Sequence, residues 1–170
     1  MHAKDVLADG FGRIEGLVRR AVEGADDTAL TRRLDPDANT LAWLAWHIAR
    51  EQDGQVAPLA GTEQVWTSRG WSQRFALPFD DSAIGYGHTS DEVAQVVAPA
   101  ELLLGYLADA TAASLAYVER LSDDELDVVV DERWDPPVTL GVRLVSVLGD
   151  ALEHAGQAAY LRGVLDRTAR

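Results

Sequence analysis

LAWLAWHIAREQD (residues 41–53) and VSVLGDALEHAGQAAYLRG (residues 145–163) decide how this chain folds. In the first, Leu41, Leu44, His47 and Ile48 fall on one stripe at helical spacing. In the second, Asp150 and His154 are separated by i, i+4, so both side chains leave the same face of a helix. That face is otherwise apolar, shared by Leu144, Val147, Ala151, Ala158 and Leu161. A carboxylate aimed into a core is costly unless it is paired, protonated or bound to a cation. If His47 meets that face, two imidazoles and one carboxylate come together, a set that zinc, nickel and iron(II) all accept. The plainer alternative treats each residue alone. Asp150 then pairs with Arg143 or Arg50, and His154 forms a surface pair with Glu153.

Outward from these stretches the chain continues in helices. Val6, Phe11, Ile14, Leu17, Val18 and Ala21 predict a first helix over residues 4–23. Asn39 is a candidate N-cap for the second, which runs to near Pro58. Residues 61–88 read as a long connection, too rich in Trp and Phe for a floppy linker and suited to a binding loop. Thr89 and Glu92 form a capping-box pattern for a short helix over 90–97. Pro99 then opens a long helix over 99–121. A second loop spans 131–138, and the last helix 139–165. Strand signal is confined to Leu126–Val130. Long amphipathic helices without a convincing sheet predict an all-α fold, an up-down-type four-helix bundle with long aromatic-containing connections. The whole chain, 1–170, is expected to form one domain.

Composition narrows the chemistry. A net charge of -13 argues against binding nucleic acid or anionic membrane surfaces. No apolar run approaches the roughly 18 residues of a membrane span, and MHAKDVLADGFGRIEG has no signal-peptide core, so a cytoplasmic location is expected. With no cysteine, disulfides, thiolate-ligated zinc and a cysteine nucleophile are excluded. Any thiol in the reaction must come from a small molecule.

Other residues are candidates of lower specificity. Glu51, one turn after His47, could be a fourth ligand, a support for the ligands or a general base; Gln157 could hold a bound water. His88, in GYGHTS, reads as a solvent-facing loop histidine. Trp43 and Trp46 read as core, while Trp66, Trp71 and Trp134 either wall a pocket or seal the bundle end. Arg69, Arg74 and Arg133 lie among the latter and could bind an anionic ligand or form surface ion pairs.

TLAWLAWHIAREQD, IGYGHTSDEV and DALEHAGQAAYLRG together resemble the DinB-like superfamily, over residues 5–165. This group of four-helix bundles includes mycothiol-dependent maleylpyruvate isomerases and bacillithiol transferases. The resemblance implies a divalent metal, zinc first with nickel or iron as alternatives, held by His47, Asp150 and His154. At Asp150 the sequence departs from the pattern: many members have histidine there and the isomerase branch glutamate. The resemblance further implies metal-assisted chemistry of a low-molecular-weight thiol such as mycothiol, acting on an electrophilic substrate as a transferase or isomerase. Alternatives are a metal-dependent hydrolase with Glu51 as base, an iron oxygenase, or a non-catalytic stress-response bundle. A homodimer is also expected. Such a site places ring nitrogens of His47 and His154 about 3–3.5 Å apart, under a pocket bounded by residues 61–88 and 131–138.

Overall fold

The structure, a computed structural model, describes residues 2–168. Four long helices carry the architecture: α1 (Ala3–Val22), α3 (Leu41–Ala60), α7 (Ala100–Val118) and α8 (Leu140–Thr168). Between them lie four short ones: α2 (Asp27–Thr31), α4 (Val65–Ser68), α5 (Trp71–Phe75) and α6 (Ser90–Gln95). Strands β1 (Val129–Asp131) and β2 (Val138–Thr139) form a small antiparallel hairpin leading directly into α8. The fold is the all-α bundle expected. Helix α1 packs against α7 and α8, and α3 packs against the same two. Consecutive long helices α1 and α3 therefore face each other across a diagonal, which the long connections permit.

The core follows the helical periodicity. Phe11, Ile14 and Val18 of α1 meet Leu103, Leu107 and Ala110 of α7 and Leu144, Val147, Ala151 and Ala158 of α8, all buried. Helix α3 differs, being buried nearly all round, including His47, Arg50, Gln52 and Asp53. A helix buried on every side needs a cover on its outer face, and residues 61–98 provide part of it.

Three local expectations are corrected. The N-cap of α3 is Thr40, whose hydroxyl accepts from the Trp43 amide at 3.0 Å, not Asn39. Helix α2 is missed by periodicity because it is barely longer than one turn, capped by Asp26. Residues 61–88 are not a plain connection, since α4 and α5 form within them. Asp53 explains α4: reaching out from α3, its carboxylate accepts from the Val65 and Trp66 amides at 2.9 and 2.8 Å. It supplies from a distance the cap that the local sequence lacks. Trp66, Trp71 and Phe75 are thereby turned inward around Tyr106, so Trp66 and Trp71 seal the bundle. The capping box at Thr89 and Glu92 forms as the spacing predicts. Among the described residues, no helix is long and apolar enough to cross a membrane.

Candidate metal centre

His47, on the buried face of α3, meets Asp150 and His154 on α8. One potential ligand atom from each lies within 4.8 Å of the other two. Nε2 of His47 is 3.5 Å from Asp150 Oδ2, and Nε2 of His154 is 3.6 Å from Asp150 Oδ1. The two imidazole rings are edge-to-face with centroids 4.8 Å apart.

The far side of each ring is anchored. Nδ1 of His47 lies 2.5 Å from the Ile84 carbonyl oxygen, which can only accept, so Nδ1 carries a proton. Nδ1 of His154 lies 3.1 Å from Oε1 of Gln157, so the same tautomer is favoured there. In a neutral ring this leaves each Nε2 as a bare lone pair. Two lone pairs and a carboxylate therefore converge with no proton between them, which is repulsive until a cation enters. Oδ2 of Asp150 accordingly is buried and has no hydrogen-bond partner among the described residues. Burial pushes the Asp150 carboxyl up, but positive charge on the imidazole of His47, and then of His154, holds it below its ordinary value, as a cation between the three groups would. The donor set and the orphaned oxygen both fit a divalent ion.

Neither arginine considered as a partner of Asp150 takes that role. Arg50 bonds the Ala83 and Asp81 carbonyls, Gln64 and Tyr106. Arg143 bonds Gln55 and Asp131. Arg50 instead fixes residues 81–83, and with them the Ile84 carbonyl that orients His47. Gly85 completes this support. Its φ is +95°, and a Cβ there would stand 2.7 Å from His47 Nδ1, so only glycine lets the loop press so close. The flat face of His47 stacks on Trp43, with centroids 4.6 Å apart and planes 14° apart. His88 is not the solvent-facing residue expected. It is half-buried between Trp46 and Phe79, and Nδ1 accepts from Trp43 Nε1 at 3.2 Å; burial lowers its pKa.

A cavity of about 820 Å³ opens beside the cluster, reaching His47, Glu51 and Asp150. Ile84 and Tyr86 bound it on one side; Asp131, Arg133, Trp134 and Val138 bound it on the other. These belong to the 61–88 and 131–138 segments. Glu51 is half-buried in the wall. Burial and then the charge of Asp150 raise its carboxyl pKa, against weaker opposing effects of His47, Gln55 and Arg143. Of the three loop arginines, Arg133 lines the cavity. Arg69 and Arg74 do not: Arg69 pairs with Asp109 at 2.7 Å, and Arg74 stacks over Trp71 at 3.8 Å. Asp131, Gly85, Tyr86 and the Ile84 carbonyl are site components that sequence reasoning missed, and Arg143, named there only as a candidate partner of Asp150, lines the cavity instead. A usable signal existed for Arg143. Arg143, Val147, Asp150 and His154 share one helix face by spacing.

The family model for mycothiol-S-transferase matches residues 11–167. The chain belongs to the mycothiol-S-transferase family. Among solved structures it is similar to one described as a conserved protein from Enterococcus faecalis. Identity is 34%, TM-score 0.89, and the match covers 95% of this chain and 96% of that one. No curated protein matches it. A DinB-like helical bundle with a His-Asp-His cluster is thus this family's fold in this chain.

Proposed function

We infer that this chain is a metal-dependent S-transferase or isomerase of a low-molecular-weight thiol, mycothiol being the family's namesake. The observation that carries the reading is the convergence of two proton-free imidazole nitrogens on a buried carboxylate oxygen without a partner. His47 Nε2, His154 Nε2 and Asp150 would hold the ion, zinc before nickel or iron. Three protein ligands leave a position open. When bound, a divalent ion there supplies Lewis acidity that keeps a thiol sulfur as thiolate near neutral pH.

The remaining work belongs to the chain. Ile84 and Gln157 hold the imidazoles in the ligating tautomer. Glu51, with its raised pKa, takes the thiol proton as base and can return it as acid. The sulfur forms a bond to the electrophilic carbon, and the leaving group departs with its electron pair; in an isomerase, the same sulfur adds and is later expelled. Trp134, Tyr86 and the loops bearing them wall the cavity in which this occurs. Arg133 stands at its rim. A cysteine-free chain in which the only thiol is the substrate's avoids self-modification by the electrophile. The protein acts on small molecules, in the cytoplasm, as one domain and as a homodimer.

Metal analysis of protein purified without chelator tests the first step. About one equivalent of divalent metal is expected in the wild type and close to none in Asp150→Ala. Calorimetry with mycothiol tests the second. Heat that requires the metal and disappears in His47→Ala supports thiol capture; binding indifferent to metal removal overturns it.

A further inference from the structure

Helices α3 and α8 run antiparallel beneath the cavity, and their facing residues form two polar ends. At one end His47 lies against Asp150. At the other, Gln55 Oε1 accepts from Arg143 Nη1 at 2.8 Å. Glu51 lies between them on α3. Arg143 precedes Asp150 by two helical turns on the same face, a separation of about 10 Å along the axis.

The Arg143 end has an unusual charge arrangement. Asp131 accepts both from Arg143 Nη2, at 2.9 Å, and from Arg133, whose Nε and Nη2 approach at 2.9 and 2.8 Å. One carboxylate thus serves two guanidiniums, while Glu51, the other carboxylate near Arg143 in the first cavity, hydrogen-bonds neither of them among the described residues. Among the described residues, Arg143 engages two of its five N–H donors. Its side chain is only 23% exposed, so a ligand there is shielded from water and its charge is felt more strongly. A second cavity, of about 520 Å³, shares Gln55, Asp131, Arg133 and Arg143 with the first. The guanidinium pair is therefore a partition with open space on both sides. Glu132 also borders the second cavity but is exposed and hydrogen-bonds neither guanidinium among the described residues.

We propose that Arg143 and Arg133 form an anion-binding end of the cleft, selecting a substrate whose carboxylate lies about 10 Å from the His47–Asp150–His154 cluster. This rests on the thiol-transfer reading above and adds to it a substrate class: an elongated molecule with an apolar body against Trp134 and Tyr86 and a terminal carboxylate. Either the thiol or the electrophile can carry that carboxylate.

The test is calorimetry on the zinc-loaded full chain with thiols of matched design. Mercaptooctanoate reaches from the cluster to Arg143, mercaptooctanol has the same length without the charge, and mercaptoacetate has the charge without the length. Mercaptooctanoate is expected to bind roughly tenfold or more tighter than mercaptooctanol. Arg143→Gln removes that advantage while leaving mercaptooctanol affinity and zinc content as they were. Arg133→Gln, on an exposed side chain, reduces the advantage and serves if Arg143→Gln does not fold. Equal affinity for the two long thiols, or an advantage for mercaptoacetate as large as for mercaptooctanoate, overturns the proposal.

Hexanoate titrated into protein saturated with mercaptoethanol separates the sources. Arg143-dependent binding beside the thiol assigns the carboxylate to the electrophile, and exclusion assigns it to the thiol. If mercaptooctanol binds without needing zinc, the thiol-capture reading fails by itself. The anion end then stands if hexanoate binds zinc-free wild type but not Arg143→Gln, and falls if it binds both or neither.

Discussion

Helix α3 carries two buried polar clusters on different faces, and they are built on opposite principles. Around Arg50, donors and acceptors are matched. The guanidinium bonds two carbonyls, Gln64 and Tyr106, and the nearby Asp53 is satisfied by two amides and the Tyr106 hydroxyl. Around His47 the bonds are matched only on the outer side of each ring, and lone pairs meet in the middle. A closed network of the first kind orders a connection. An open one of the second kind is what a cation requires. Burial of polar groups alone does not separate structural from functional sites; the direction of their lone pairs does.

The sharpest contrast is expected from Arg50→Ala. It takes away the positive charge 3.7 Å from the buried Asp53 carboxylate and leaves the Asp81 and Ala83 carbonyls without their donor, at a cost of about 3–5 kcal/mol, measured by urea denaturation. A loss below about 1 kcal/mol would show that the two clusters do not differ as argued. Gly85→Ala comes next. The left-handed backbone and the 2.7 Å approach to His47 Nδ1 predict a loss of about 1–3 kcal/mol. Because the loop can no longer seat its carbonyl on His47, zinc affinity should also fall by roughly 10–100-fold, read by competition with a chromophoric chelator.

Asp150→Ala reverses the pattern. Metal content collapses, yet the metal-free protein should change in stability by less than about 1 kcal/mol, because the group removed has an oxygen with no partner. Parallel melts of metal-free wild type and variant, with zinc analysis of each, make the comparison. A large loss in the metal-free protein would move Asp150 to the structural side.

The same distinction explains what was legible in the sequence. Helices α1, α3, α7 and α8 announce themselves by periodicity, because each buries one apolar face or is apolar throughout. The Asp150–His154 pair is equally legible, since i, i+4 spacing on one helix fixes their direction. Residues 61–88 were not, because the order there comes from Arg50 and Asp53 reaching out of α3, and no local pattern encodes such bonds. The arginines show the limit most clearly. Arg69, Arg74 and Arg133 are equivalent in sequence, each beside a loop tryptophan. Asp109 and the face of Trp71 hold the first two away from the cavity, whereas the β1–β2 hairpin brings Arg133 to its edge beside Arg143.

The smallest effect, and the one that tests on which side Glu51 belongs, concerns pH. Burial and the Asp150 charge raise its folded pKa above the ordinary 4.5, so the fold favours the protonated form. That contribution to stability is fully present below the ordinary carboxylate value and is lost as pH rises through the folded one. Glutamine keeps the shape and cannot ionise. Metal-free Glu51→Gln should therefore match wild type near pH 4 and become slightly more stable than it as pH rises to neutrality, the difference levelling off once Glu51 is ionised. Denaturant midpoints across that range give the curve. A variant less stable than wild type at every pH would make Glu51 a structural acceptor, closed like Arg50. A gain confined to neutral pH marks a carboxylate held at a cost in the folded chain, the state a proton-transferring group beside the cluster needs.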